Sequence, residues 1–334
     1  MKNKSIDEKN SELFWYLAKR KTGKWISNFF LFFLITGLCF IILQPLIELI
    51  PSVLSHIEDL GNPNVIWIPE EISFTSFKAA ARLILPEGIL TMMKSVLYAA
   101  SITLIQIFIC AMTGYALARV QSWVSKMVMF LVILAFLVPR QSLLLAQYIY
   151  FNHFDAMGLV SLFNASGEVN LINQPITLYL MALLGFGVNQ SLFILIFSQF
   201  FKNIPKELEE AALIDGCGFY KTYFKIMVPN AIPAISTVGV MSFVWNFGDT
   251  YYTTYFNPDG AYVGSILSQT FIPANKEFIL NAVKVWYDVP LATDLAFDAM
   301  KQAGALIYLV PLLIVYFIAQ RWLVENLENS GLVG

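Results

Sequence analysis

The chain predicts an all-α integral membrane protein with six transmembrane helices, and three observations carry that expectation. Of its 334 residues, 57% are hydrophobic and 13% are charged, about half the ~25% charge of a soluble domain. Too little polar surface remains to clothe a particle of this size in water, so the surplus apolar area faces lipid. Six stretches are long and apolar enough to cross a ~30 Å hydrocarbon core as helices, which satisfy their own backbone groups there. The basic residues also divide unevenly between the segments that join those stretches, as they do across a bilayer.

The N-terminal segment 1–24 carries seven bases: Lys2, Lys4, Lys9, Lys19, Arg20, Lys21 and Lys24. Span one, 25–50, has an apolar run about twice the 7–15 residues of a secretory signal core, with no small-residue cleavage site after it, and reads as an anchor. A long loop, 51–94, leads to span two at 95–117. Span three follows at 127–149, a loop at 150–175 and span four at 176–200. A polar segment, 201–226, precedes span five at 227–247, where Pro229 and Pro233 crowd the start and Asn246 and Asp249 the end. A second long loop, 248–302, a sixth span at 303–324 and a tail at 325–334 complete the chain. Six spans put both termini on one side. That side holds fourteen Lys and Arg against seven on the other, so the termini and 201–226 face the cytoplasm and the two long loops face out, in a multi-pass bacterial inner or plasma membrane protein. Loops beyond ~15 residues usually carry structure or function of their own.

Several chemistries are missing. A net charge of −2 does not suit nucleic acid, and His56, His153 and three scattered cysteines do not build a metal centre or a disulfide framework. No G-x-x-x-x-G-K-[S/T] loop, G-x-S-x-G elbow or H-E-x-x-H helix occurs, so no catalytic residue is assigned. Ionisable residues are nearly absent from the spans, which argues against an ion or proton relay. Arg140 is the exception. It follows Pro139 about 14 residues into span three, roughly 21 Å deep at 1.5 Å per residue, and either snorkels and pairs structurally or lines a pathway beside a proline kink. Gln44, Gln106, Gln141, Asn189, Gln190, Trp245 and Asn246 are neutral polar or aromatic groups suited to line a path for an uncharged solute, and the same residue types serve as helix–helix contacts.

The segment 201–226 carries the strongest local signal. Pro205 suits a helix start, Glu207, Glu209 and Glu210 suit its positive end, and Gly216 and Gly218 stop it before a second short helix running to Pro229. Glu210-Ala211-Ala212, three residues, Gly216, nine residues, Ile226, one residue, then Val228-Pro229 resembles the E-A-A-x3-G-x9-I-x-L-P signature of the membrane subunits of ABC importers, with Val228 for the usual Leu. Ile204-Pro205, Glu207-Leu208 and Ile214-Asp215-Gly216 are similar to the sugar-importing branch, most of all its second, six-span permease of the maltose type. Tyr115 to Arg119, Pro139 with Leu143 to Leu145, and the 311–321 run extend the resemblance from about Ser95 to the C-terminus.

The resemblance implies an ABC importer permease fold whose 201–226 loop is a coupling helix, inserted into a cleft on a separate ATPase. It makes Glu210 an ion-pair partner of an ATPase base, Ala211 and Ala212 small contacts, Gly216 the bend, and Asp215 and Pro229 further members of the motif. It implies a second permease, two ATPase subunits that bind ATP and Mg, an extracellular binding protein and a carbohydrate substrate, probed by Gln141, Asn189, Gln190, Trp245 and Asn246. Cys217, Gly218 and Asn230 depart mildly from the family pattern. The ending Ser330-Gly331-Leu332-Val333-Gly334 lacks the family's terminal lysine, and 248–302 exceeds the usual length. Its aromatics suit either a partner contact or an interfacial belt. Rival readings are an importer of another solute and, in a different class, a stand-alone channel or secondary carrier.

Overall fold

The computed structural model describes residues 2–61, 68–155, 158, 167–288 and 293–331, with backbone alone for 2–23, 26, 58 and 322–331. Residues 332–334, where the terminal lysine is missing, lie outside the described residues. The elements are α1 (Lys2–Leu54), α2 (Thr75–Ile84), α3 (Ile89–Arg119), α4 (Trp123–Leu137), α5 (Arg140–Asn152), α6 (Pro175–Leu184), α7 (Gln190–Asn203) and α8 (Lys206–Ile214). They continue as α9 (Phe219–Thr222), a π-turn (Tyr223–Met227), α10 (Val228–Asn230), α11 (Ile232–Phe247), α12 (Tyr251–Phe256), α13 (Val263–Thr270), α14 (Lys276–Tyr287) and α15 (Asp294–Gly331). Among the described residues, β-pairing is confined to two isolated bridges, Ser55 with Ile72 and Phe154 with Val169.

Among the described residues, three helices are by themselves long and apolar enough to cross a membrane: 27–54 of α1, α3, and 294–321 of α15. Two more candidates are bent pairs, α4 with α5 at 108° and the run Phe219–Asn230 with α11 at 74°. The stretch expected at 176–200 divides into α6 and α7. Each break has a local cause. Val138 precedes Pro139 and is extended (φ −76°, ψ 125°), because the proline ring excludes the helical conformation before it. Gly185 ends α6 in the left-handed region at φ 89°, and Asn189 opens α7 at φ 51°. Ala231 sits at φ −90°, ψ 7° between Pro229 and Pro233.

Helices also run past the apolar stretches that mark them. α3 starts at Ile89 and α15 at Asp294, since hydropathy reads only the lipid-facing length of a helix. Segments 51–94 and 248–302 consequently fold together. Ile57, Ala79, Ile84, Val263, Phe271, Ile279, Val283, Phe297 and Met300 form one buried cluster beneath α2, α13, α14 and the first turns of α15. Arg82 caps it with its guanidinium 4.3 Å from the Trp286 ring centre.

α3 is the hub, packed against α7, α11, α6 and α4. A Cβ on Gly114 would lie 2.6 Å from Cβ of Phe197 and 2.8 Å from the backbone nitrogen of Ser198, so the two helices meet backbone to backbone as small residues permit in lipid. Phe193, Phe197, Phe201, Tyr223, Met227 and Val238 fill the core beside that contact. α1 stands apart. Its side chains from 27 to 46 are exposed, and it joins the body at Val53, against Ala80 and Ala303. Gly114→Ala is expected to force α3 from α7 and cost about 1–3 kcal/mol, read as a lower melting temperature of the purified protein in detergent.

Candidate functional site

Two places concentrate polar chemistry, one at α8 and one where three helices break. α8 begins at Pro205, which lacks the N–H that would be orphaned at a helix start, and has Glu207 and Glu209 in its first turn. It ends in a Schellman closure: the Cys217 N–H donates to the Ala212 carbonyl at 3.0 Å and the Gly216 N–H to the Leu213 carbonyl at 3.1 Å. Gly216 takes the left-handed conformation this requires, φ +79°, with open space around its Cα.

What holds α8 in place is Glu209. Its carboxylate accepts a hydrogen bond from the Tyr115 hydroxyl at 2.5 Å and lies 2.8 Å from Nε of Arg119, an ion pair without hydrogen-bond geometry. Both partners are largely buried, with side chains 9% and 18% exposed for Arg119 and Glu209. Arg119 also donates to the Ile204 carbonyl at 3.0 Å, at the end of α7. Tyr115 packs among Phe201, Phe219 and Tyr223, and burial pushes the Tyr223 hydroxyl up to about 12. One arginine therefore joins the ends of α3 and α7 to the start of α8.

Of the motif residues, Ala212 is buried while Glu210, Ala211, Asp215, Gly216 and Pro229 are exposed. Around Glu210, large apolar side chains of the helix–turn–helix are exposed among the charges of Lys206, Glu207, Asp215, Lys221 and Lys225: Leu208, Leu213, Tyr220 and Phe224, with Ile214 85% exposed. Glu209 reads from the sequence only as a first-turn acid, with no partner. The closing Tyr115 to Arg119 run was visible as a motif, but its pairing with an acid ninety residues away is a tertiary fact.

The second place is centred on α3. Gln106 is fully buried, and its Oε1 accepts from Oγ of Ser242 at 2.6 Å and from Nδ2 of Asn246 at 2.8 Å. Its Nε2 donates to the Val188 carbonyl at 3.2 Å. Gln190 donates to the Ala182 carbonyl at 2.7 Å and accepts from the Gly187 N–H at 2.9 Å, bridging the gap between α6 and α7. Gln190 and Asn246, both named for the substrate path, are thus buried and engaged inside the chain. Gln44 is exposed and bonded to Glu48, and Gln141 is exposed near the start of α5.

Asn189 and Trp245 do come together. With Arg140, Val188, Val244, Gly248, Asp249, Thr250 and Tyr251 they line a cavity of about 260 Å³. A second cavity of about 110 Å³ adjoins at Arg140 and includes Gln147, Gln190 and Tyr252. Asp249 is 7% exposed, and its Oδ2 accepts the N–H groups of Tyr252 at 3.0 Å and Thr253 at 3.2 Å. Burial pushes its carboxyl up to about 6, against the pull of those N–H groups and of Arg140.

Removing Glu209 strands a buried guanidinium, whereas Glu210 is exposed and, among the described residues, makes no hydrogen bond or ion pair. Glu209→Ala is expected to cost about 3 kcal/mol and Glu210→Ala to stay within about 0.5 kcal/mol, compared by detergent unfolding of the purified variants.

Residues 106–329 match the family described as the binding-protein-dependent transport system inner membrane component. The probable starch degradation products transport system permease protein AmyC of Thermoanaerobacterium thermosulfurigenes is 29% identical over 265 residues, 78% of this chain and 81% of the relative. The maltodextrin transport system permease protein MalD of Streptococcus pneumoniae is 25% identical over 298 residues, covering 88% and 91%. A solved bacterial ABC transporter involved in import of the acidic polysaccharide alginate has a chain that aligns at TM-score 0.60 and 18% identity, over 86% of this chain and 93% of that one, a likeness of fold. With the matching region covering most of its length, the chain belongs to the inner membrane components of binding-protein-dependent transport systems.

Proposed function

We propose that the chain is one half of the translocation pathway of an ATP-driven carbohydrate importer, paired with a second permease, two ATPase subunits and an extracellular binding protein. The single observation that supports it most is α8: a short helix anchored from behind by Glu209 and Arg119 while large apolar side chains stay exposed around Glu210. A surface of that kind suits a protein partner rather than water.

In this reading six spans cross the inner membrane, carried by α1, α3, α4–α5, α6–α7, the 219–247 run and α15, with both termini and α8 in the cytoplasm. The boundaries are those of the apolar stretches given above. Glu210 meets a basic side chain of the ATPase, Leu213 and Ile214 enter its cleft, and Ala211 lets the surfaces close. Asp215, Gly216 and Pro229 shape the turn and the second helix. ATP and Mg are bound and hydrolysed on the partner, and this chain contributes no catalytic group. Closure of the ATPases then moves α8, and α3 and α7 with it, because Arg119 ties the three together. This is mechanical coupling between two states, each ligand acting through its preference for one of them. The carbohydrate assignment rests on similarity to permeases named for starch degradation products and maltodextrin and on the neutral polar residues near the breaks.

Affinity purification of this chain with its neighbours in the membrane is expected to bring down an ATPase and a second permease. Glu210→Lys and Ile214→Asp are each expected to abolish nucleotide-driven uptake in proteoliposomes, and uptake at the normal rate would sink the coupling role. Passive flux through the chain alone would favour a channel, and tight binding of a non-sugar solute by the cognate binding protein would replace the carbohydrate.

A further inference from the structure

We propose that the cavity at Arg140, Asn189, Trp245 and Asp249 is a subsite for one neutral sugar ring of the transported carbohydrate, an inference that rests on the carbohydrate reading above. The four side chains come from three different breaks in the helical ladder: the first residue of α5, the residue before α7, the last turn of α11 and the residue two beyond its end. Together they supply what a ring of hydroxyl groups needs.

Arg140 is the donor. A guanidinium has five N–H groups and no acceptor capacity, and among the described residues Arg140 makes neither a hydrogen bond nor an ion pair; its Cζ lies 6.0 Å from the Tyr252 ring centre. Asp249 is the acceptor. The N–H groups of Tyr252 and Thr253 fix one oxygen, and an ionised carboxylate retains sites beyond those two for hydroxyl protons. Asn189 both donates and accepts, and its left-handed backbone (φ 51°) is held in the break between α6 and α7. Trp245 is the apolar wall, kept in place by Phe193 stacked at 5.5 Å and 22°.

Charge chooses the ligand class. Arg140 and Asp249 offset each other, so an uncharged ring meets both, while a carboxylated ring would gain the guanidinium and be repelled by Asp249. The cavity, about 260 Å³, gives a sugar ring room to enter against Trp245. On the Arg140 side lies the smaller cavity, where Oε1 of Gln147 is buried without a partner, an acceptor for a hydroxyl on the neighbouring edge of the ring. Gln190 and Asn246 are instead bonded within the chain, Gln190 to the Ala182 carbonyl and Asn246 to Gln106.

The test uses the full complex with its binding protein in proteoliposomes and three probes: maltotriose, raffinose and trigalacturonate. At saturating binding protein, Arg140→Gln, Asp249→Asn and Trp245→Ala are each expected to cut uptake of a carried neutral probe at least about tenfold, the order of a hydrogen bond to a charged group. A second measurement does not depend on those variants. Thr250→Cys, on the cavity wall, is introduced together with Cys39→Ser and Cys217→Ser and labelled with a water-soluble maleimide, and the free carried sugar is expected to slow labelling. Labelling indifferent to the sugar, or uptake within twofold of wild type in all three variants, overturns the subsite and leaves the carbohydrate reading standing. Carriage of trigalacturonate alone overturns the neutral assignment. Carriage of none of the probes defeats the carbohydrate reading, and the subsite with it.

Discussion

The constraint on which the structure turns is that a chain this apolar has almost nowhere to leave a backbone group unpaired. In hydrocarbon each orphaned N–H or C=O costs several kcal/mol, so irregular backbone is tolerated only where protein or a water-filled cavity receives it. Helix is therefore the default along the described residues, and the exceptions are informative. The breaks at Val138–Pro139, at Gly185–Asn189 and after Phe247 converge on one region, where Gln106 and Gln190 reach across to bond backbone carbonyls on the other side. The polar knot and the cavity beside it are two consequences of the same breaks.

The opposite end of α3 solves a different problem. α8 projects beyond that end of the bundle, and a nine-residue helix is marginal by itself. Its first turn is locked by one carboxylate shared between Tyr115 and Arg119, and its last by the Schellman closure at Gly216. The second half of the segment carries a π-turn at Tyr223–Met227 and the 74° bend at Ala231. π-turns often mark functional sites in helices, and here one stands between α8 and α11.

The packing of α3 links the two. The Gly114 contact brings α3 and α7 to backbone distance, between Arg119 at one end and Gln106 nearer the other. The end of α3 that holds α8 and the end beside the broken helices thus belong to one closely packed pair of helices. The second apolar cluster, beneath α2, α13 and α14, rides on the start of α15 and is attached to the rest through α15 against α11 and α13 against α3.

By itself the sequence determined the all-helical class, the apolar stretches and the helix–turn–helix around Glu210, because hydropathy, proline and glycine placement and first-turn acids are local properties that a linear reading captures. It also marked Pro139 with Arg140, and the prolines near Ala231, as interruptions. Tertiary structure alone decided which polar residues are spent and which are available. Asn246 and Gln190 are the residue types of a sugar path, yet they are buried and bonded within the chain; Arg140, at the break inside its apolar stretch, and Asp249, just beyond the end of its own, line a cavity. The same holds at α8, where Glu209 and Glu210 are adjacent and chemically identical. One turns inward to Arg119 and the other outward, because successive residues on a helix point about 100° apart and only packing says which direction is inside.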